Sequence, residues 1–132
     1  MGRMILAVVV ALIVAFGVIT IVEMLGAMVV PPPSTEVLKD PVAIRQYMMN
    51  LPLLAYVMVV IGWTIGAFAA GFIVTKMSRR ESPGLSLPIL VGVLMTIGAI
   101  INFVMLPHPT WFVIVGLLVF IPFTLIGHRL AR

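Results

Sequence analysis

The chain has 132 residues, of which 63% are hydrophobic and 9% are charged, and its mean hydropathy is +1.30. A typical soluble domain carries about 25% charged residues, so this composition excludes a water-soluble globule. It also excludes a disordered chain, which needs low hydrophobicity and a high net charge. The sequence contains no cysteine, which removes disulfides, thiolate metal sites and thiol redox chemistry from consideration.

Four apolar runs are long enough to cross a bilayer, whose hydrocarbon core of about 30 Å takes roughly 20 helical residues. They cover residues 4–30, 51–75, 85–106 and 111–127. All four are apolar on every side, which excludes the alternating pattern of a β-barrel and leaves helices as the only structure that satisfies the backbone in lipid. The sequence therefore predicts an all-α integral membrane protein, a bundle of four transmembrane helices in one domain that spans residues 1–132.

Basic residues are concentrated at one end of this predicted bundle. They are Arg3, Lys76, Arg79, Arg80, Arg129 and Arg132. At the other end, Lys39 and Arg45 are offset by Glu36 and Asp40. This asymmetry predicts that both termini are cytoplasmic, in the inner membrane if the organism is bacterial. It also accounts for the net charge of +4 without a nucleic-acid partner. The basic loop residues Lys76, Arg79 and Arg80 are predicted to anchor the chain to lipid headgroups.

The loop between the first two runs, residues 31–50, is long enough to hold structure. Asp40 followed by Pro41 is typical of a helix cap and a first helical residue. Beyond them an apolar stripe follows the helical spacing. Its members are Ile44, Tyr47, Met48 and Leu51. The stripe predicts a short amphipathic helix on the outer membrane surface before the second crossing. The alternative is a linker whose apolar residues cover helix ends.

Glu23 is the only charged residue within the four runs and the main candidate for a proton or ligand site. A carboxylate in an apolar helix is energetically expensive and by default marks a partner, a water cavity or an ion path. On a helical wheel it shares a face with Ile19, Thr20, Gly26 and Ala27. A structural position at the headgroups is the alternative interpretation.

Two further residues are candidates for polar contacts. His108 titrates near neutral pH and lies between two prolines in the connection of the third and fourth runs. Asn102 supplies hydrogen-bonding groups within an apolar helix, where such groups usually bridge helices. Because a metal site needs several ligands, we expect no metal and no cofactor.

Small residues form a ridge along the second run. Gly62, Gly66 and Ala70 recur every four residues, and Gly71 lies beside them. The spacing predicts close helix packing, with a neighbour from this chain or from another. Trp63 lies near the middle of the same run, so we expect its N–H to find a partner within the protein, whereas Tyr56 is predicted to anchor at the membrane interface.

In size, helix number and a glutamate in its first helix, the chain resembles the small multidrug resistance exporters, which act as antiparallel dimers around that acid. It differs from them in placing Glu23 near the outer end of the helix and in having a longer first loop. Its charge asymmetry also opposes the inverted partner that such a dimer requires. The resemblance is one of architecture without a shared motif, so the chain is not assigned to that family.

No arrangement of residues in the sequence is typical of an enzyme, and we expect no catalytic residue. The leading hypothesis is a small polytopic protein that acts through helix–helix interaction, either as an accessory subunit of a larger membrane complex or as a homo-oligomer. The alternative is a small proton-coupled transporter or channel that uses Glu23. A third interpretation is a protein that binds a lipid or an apolar pigment in a cleft beside Trp63 and Phe68. The first two hypotheses differ in the expected effect of Glu23→Gln: the interaction hypothesis predicts that the change is tolerated, and the transporter hypothesis predicts that it abolishes flux.

Overall fold

The computed structural model describes all residues, 1–132, and is 86% helical without strands. Four helices are long and apolar enough to cross a membrane. The long helices are α1 (Gly2–Val29), α4 (Leu53–Ser78), α5 (Ser86–Met105) and α6 (Thr110–Ala131). Two short helices, α2 (Thr35–Lys39) and α3 (Pro41–Met49), lie between α1 and α4. The prediction of an all-α membrane protein with four long apolar helices is thus confirmed.

Helix bounds differ from the apolar runs mainly at their basic ends. α4 continues to Ser78 and α6 to Ala131, past the points where hydropathy falls. Backbone hydrogen bonding does not depend on hydropathy, and cations in the last turn of a helix are favoured by its dipole. Lys76 is such a cation in α4, and Arg129 is one in α6. α4 begins at Leu53, because the preceding residue, Pro52, has an extended ψ of 151° and so does not belong to the helix; it occupies the N-cap position.

The two ends of the bundle have different loops. One end of the bundle carries the six basic residues given in the sequence analysis, and we call it the basic end. The opposite end, which we call the proline end, contains Pro31–Pro33, Pro52 and Pro107. At the basic end the Arg3 Nε donates to the backbone carbonyl of Met77 at 3.1 Å and lies 3.5 Å from the Glu81 carboxylate. These contacts join the start of α1 to the end of α4.

α4 is the central helix of the bundle, and α1 and α6 pack closely along it. The small-residue ridge receives α1: a Cβ at Gly62 would lie 3.1 Å from Val22, and one at Gly66 would lie 2.8 Å from Ile19. Gly71 lies instead against the backbone of Thr124 in α6. The neighbours of the ridge therefore belong to this chain, which answers the question that the sequence leaves open.

The loop helix α3 begins as the sequence predicts. The Asp40 carboxylate accepts hydrogen bonds from the backbone amides of Val42 at 3.0 Å and Ala43 at 3.4 Å. However, the apolar stripe of α3 faces the bundle: Ile44 and Met48 are buried in the core. The stripe thus covers helix ends, as in the alternative interpretation, although it does so as a helix. The location of α3 on an outer membrane surface stays a prediction.

Candidate functional site

A cleft opens between α1 and α5, two helices that make few contacts with each other. It consists of two cavities. The proline-end cavity has a volume of about 370 Å³ and lies beneath α3, and the mid-bundle cavity has a volume of about 250 Å³. Glu23 and Asn102 line both cavities. We name the two cavities together the Glu23 cleft.

Glu23 reaches this cleft because of its place on the α1 helix. α1 packs on α4 through Ala7, Ala11 and Ala15, which are fully buried. Glu23 lies on an adjoining face of α1 and is exposed at the cleft. It is six residues from the end of α1 at Val29, which corresponds to about 9 Å along the helix axis.

The carboxylate of Glu23 has no partner within the chain. The single ion pair of the structure joins Arg3 to Glu81 at the other end of the bundle. No lysine or arginine lines either cavity of the cleft. An unpaired carboxylate within an apolar span is strongly disfavoured unless water, a proton or a cation compensates it. The cleft is therefore an environment that favours positive charge.

Asn102 lies opposite, near the end of α5, and is partly buried. Its backbone carbonyl accepts the amide of Leu106 at 3.0 Å, while its side-chain amide makes no hydrogen bond within the chain. The prediction that such groups bridge helices is therefore not met at Asn102. A free amide offers both donors and an acceptor to an occupant of the cleft.

His108 closes the proline-end cavity from the connection between α5 and α6. Its Nδ1 lies 2.7 Å from the carbonyl of Leu106 and donates to it, which leaves Nε2 as the acceptor of the neutral ring. The ring stacks on Phe112, with centroids 5.2 Å apart and planes 14° apart. Burial lowers the pKa of His108, and the hydrogen bond to Leu106 partly opposes this. Burial therefore favours the neutral form of the ring.

The structure thus brings together three residues that the sequence singled out separately. Glu23, Asn102 and His108 come from α1, α5 and the α5–α6 connection, and all three line the proline-end cavity. Glu23 is separated from Asn102 and His108 by most of the chain, so no spacing rule predicts that they meet. No group of three or more His, Asp or Glu side chains is placed to hold a metal ion.

Aromatic side chains form part of the wall of the cleft. Tyr56, predicted to anchor at the membrane interface, is buried and donates from its hydroxyl to the Met48 carbonyl at 2.5 Å. Trp63 lines the mid-bundle cavity and packs on Phe103, Phe112 and Phe120. The expected hydrogen-bond partner for its indole N–H is absent. A run of bulky apolar residues does not indicate which side chains line a cavity and which pack in the core.

The basic loop residues predicted to anchor lipid headgroups lie at the basic end, far along the bundle from the cleft. Lys76 is exposed, and its Nζ lies 5.6 Å from the centre of the Phe72 ring. Arg79 and Arg80 are exposed in a short 3-10 helix, Arg79–Glu81. Their position at the end of a membrane span is suited to headgroup contact.

No protein-family model, no curated protein and no solved structure matches the chain. The architecture is that of a small multi-pass membrane protein, whose four apolar helices are suited to contact with lipid.

Proposed function

We propose that the chain is a small membrane transporter that binds a proton or an apolar cation at Glu23, within the Glu23 cleft. The observation that carries the proposal is the unpartnered carboxylate of Glu23 in a cleft without lysine or arginine. Binding of a cation or a proton compensates the unpaired charge within the apolar span, so the energetic penalty of the unpaired carboxylate contributes to the affinity for the ligand. The proposal involves binding and transport, without covalent catalysis.

The remaining lining fits such a ligand. Tyr56, Phe112 and Trp63 offer aromatic faces, which attract cations, and Met58 offers a flexible apolar surface. A volume of about 370 Å³ for the larger cavity lies within the usual range for small-molecule sites. The free amide of Asn102 is placed to orient the ligand.

The charge asymmetry indicates how the Glu23 cleft is oriented in the membrane. Six arginines and lysines at the basic end favour a cytoplasmic location for that end and for both termini. The proline-end cavity and the α3 helix that covers it then lie on the outer side. His108 also lies on that side of the cleft.

The test compares Glu23→Gln with Glu36→Gln, the same chemical change on the exposed helix α2, outside both cavities. Binding of tetrabutylammonium, an apolar cation, is followed by the fluorescence of Trp63 in a Trp111→Phe background, since the chain has only two tryptophans. We expect Glu23→Gln to weaken binding about tenfold or more, a loss of at least about 1.4 kcal/mol, and Glu36→Gln to leave it unchanged.

Proton flux is measured on the same variants in vesicles that contain a pH-sensitive dye. Glu23→Gln should abolish the flux while the protein still inserts and migrates as the wild type does. Unchanged binding and flux in Glu23→Gln, or equal losses in both variants, would show that Glu23 is not the ligand site.

The second candidate function is helix–helix interaction, as an accessory subunit or a homo-oligomer. The small-residue ridge does not favour this function, because α1 of the same chain covers Gly62 and Gly66. Gly17 does favour it: this residue is exposed in the middle of α1, and a Cβ there would meet nothing within 4 Å. A bare glycine on a lipid-facing helix permits another helix to approach closely.

Native mass spectrometry of the chain, gently purified from its own membranes, tests this candidate. A stoichiometric foreign subunit or a defined oligomer that Gly17→Leu disrupts would support it. Val9→Leu adds bulk to an exposed α1 position without replacing a glycine and is the matched control. A monomer without partners would exclude it.

A further inference from the structure

A third cavity lies at the basic end, on the opposite side of the span from the Glu23 cleft. Its volume is about 560 Å³, and it is bounded by the ends of α4 and α6 and by the loop before α5. The polar residues of its lining are Thr75, Ser78, Arg79, Ser82, His128 and Arg132. No carboxylate side chain is among the lining residues, in contrast to the cleft around Glu23.

His128 is the buried centre of this cavity, with only 7% of its surface exposed. Its Nδ1 lies 2.9 Å from the hydroxyl of Thr75. That hydroxyl donates its single proton to the Gly71 carbonyl at 2.7 Å, so it accepts from His128 and Nδ1 carries the hydrogen. In the neutral ring Nε2 is then an acceptor, and it has no partner within the chain.

The hydroxyl of Ser78 is also committed, since it donates to the Val74 carbonyl at 2.6 Å. The donors that remain for a ligand are the guanidinium groups of Arg79 and Arg132 and the hydroxyl of Ser82. The planar guanidinium donates two parallel hydrogen bonds to the oxygens of one phosphate group, which makes arginine well suited to phosphate. The acid nearest in sequence, Glu81, is engaged by Arg3 of α1 and does not line the cavity.

We propose that this cavity binds a phosphate group that carries, or lies beside, a hydroxyl. The two arginines donate hydrogen bonds to the charged oxygens, and Nε2 of His128 accepts a hydrogen bond from the hydroxyl. A phospholipid headgroup with hydroxyls and free hydrogen phosphate share this chemistry. The site is independent of the Glu23 cleft and of the function proposed there.

The experiment measures lipid retention by native mass spectrometry, with phosphatidylglycerol or phosphatidylcholine supplied in detergent micelles. Phosphatidylglycerol is anionic and bears hydroxyls, whereas phosphatidylcholine lacks both features. Arg79→Gln with Arg132→Gln is compared with Arg45→Gln with Arg129→Gln. The second pair removes the same charge from exposed arginines that do not line the cavity and that were not assigned to headgroup anchoring.

We expect the first pair to reduce phosphatidylglycerol retention about tenfold, since hydrogen bonds to charged groups are among the stronger ones. The second pair should reduce it much less. Arg79→Lys with Arg132→Lys restores the charge without the paired geometry and should recover only part of the retention, which also shows that the fold tolerates changes at these positions.

A second arm distinguishes the two sources of phosphate. Stabilisation against heating by inorganic phosphate, but not by sulfate, which carries no proton at neutral pH, identifies free phosphate as a ligand. Retention of phosphatidylglycerol that inorganic phosphate does not displace identifies the headgroup. Equal losses in both arginine pairs, or no preference for phosphatidylglycerol and no effect of phosphate, would overturn the proposal.

Discussion

Two regions of the bundle use small residues in opposite ways. Along α4, which we name the α4 seam, glycines let the neighbouring helices approach so closely that a Cβ would clash with the Ile19 side chain at Gly66 and with the Thr124 backbone at Gly71. Between α1 and α5, by contrast, Gly98 lines a cavity, and a Cβ there would meet nothing within 4 Å. The seam is closely packed, whereas the cleft is open and holds Glu23 and Asn102.

The difference shows how so short a chain can have both a rigid scaffold and a polar cavity. Lipid supplies little hydrophobic force between helices, so close van der Waals contact along the α4 seam must hold the bundle together. α5 packs mainly on α6, and α1 packs mainly on α4, which leaves the space between α1 and α5 unfilled. Glu23 and Asn102 lie where packing is loosest.

Gly71→Ala should have the largest effect on stability. The added methyl group would overlap the backbone of Thr124, which has no alternative rotamer, so α4 and α6 must separate. Overpacking of this kind destabilises by up to about 3 kcal/mol, which we expect here. Thermal unfolding in detergent measures it. A melting temperature equal to that of the wild type would show that the seam is not closely packed.

Tyr56→Phe should have an intermediate effect, about 1 kcal/mol, because it removes the buried hydrogen bond to Met48 that holds α3 over the cleft. Hydrogen exchange of the α3 amides should quicken. Tyr47→Phe is the control, since its hydroxyl donates to the Pro31 carbonyl at a more exposed site. Protection of α3 that is the same in Tyr56→Phe as in the wild type would argue against this role.

Gly98→Ala should have a small effect of the opposite sign. The methyl group enters open space, and alanine favours a helix over glycine by up to about 1 kcal/mol. We therefore expect a slightly higher melting temperature than that of the wild type. A loss of stability comparable with that of Gly71→Ala would mean that the cleft is closed by contacts in the membrane.

The smallest expected effect is the pH dependence contributed by His108. Its pKa is lowered in the folded state by burial, so the unfolded chain binds the proton more readily. The stability that His108 contributes is therefore present above its ordinary pKa and is lost as the pH falls through the folded value. Acidification should lower the melting temperature of the wild type more than that of His108→Gln. Parallel pH curves would contradict this.

The sequence predicts the architecture well because transmembrane helices are specified by local properties. Length and hydropathy identify the four long helices, and Asp40 with Pro41 identifies the start of α3. The ends of α4 and α6 extend beyond the predicted bounds because the helices continue through basic residues after hydropathy falls.

The candidate site is only partly predictable. Glu23 and Asn102 are conspicuous in the sequence because polar groups are rare in apolar helices, and His108 is conspicuous because it lies between two prolines in a short connection. Their shared cavity depends on how α1 and α5 sit against α4 and α6, which no local pattern specifies. The burial of Tyr56 and the unpaired indole N–H of Trp63 are unpredicted for the same reason: burial of an aromatic side chain in a membrane bundle is decided by its neighbours.

The most direct test of the central claim asks whether the Glu23 cleft admits water and a cation. The chain has no cysteine, so a single one can be introduced without altering others. Thr20→Cys places it in the lining of the mid-bundle cavity, and Ile13→Cys places it on an exposed face of α1 outside both cavities.

Both variants, reconstituted in vesicles, are treated with a charged, water-soluble thiol reagent. The account predicts that the cysteine at position 20 reacts quickly and is protected by tetrabutylammonium, whereas the cysteine at position 13 is inert. The protection should disappear when Glu23→Gln is added. Equal inertness at both positions, or protection that persists without the carboxylate, would contradict the account.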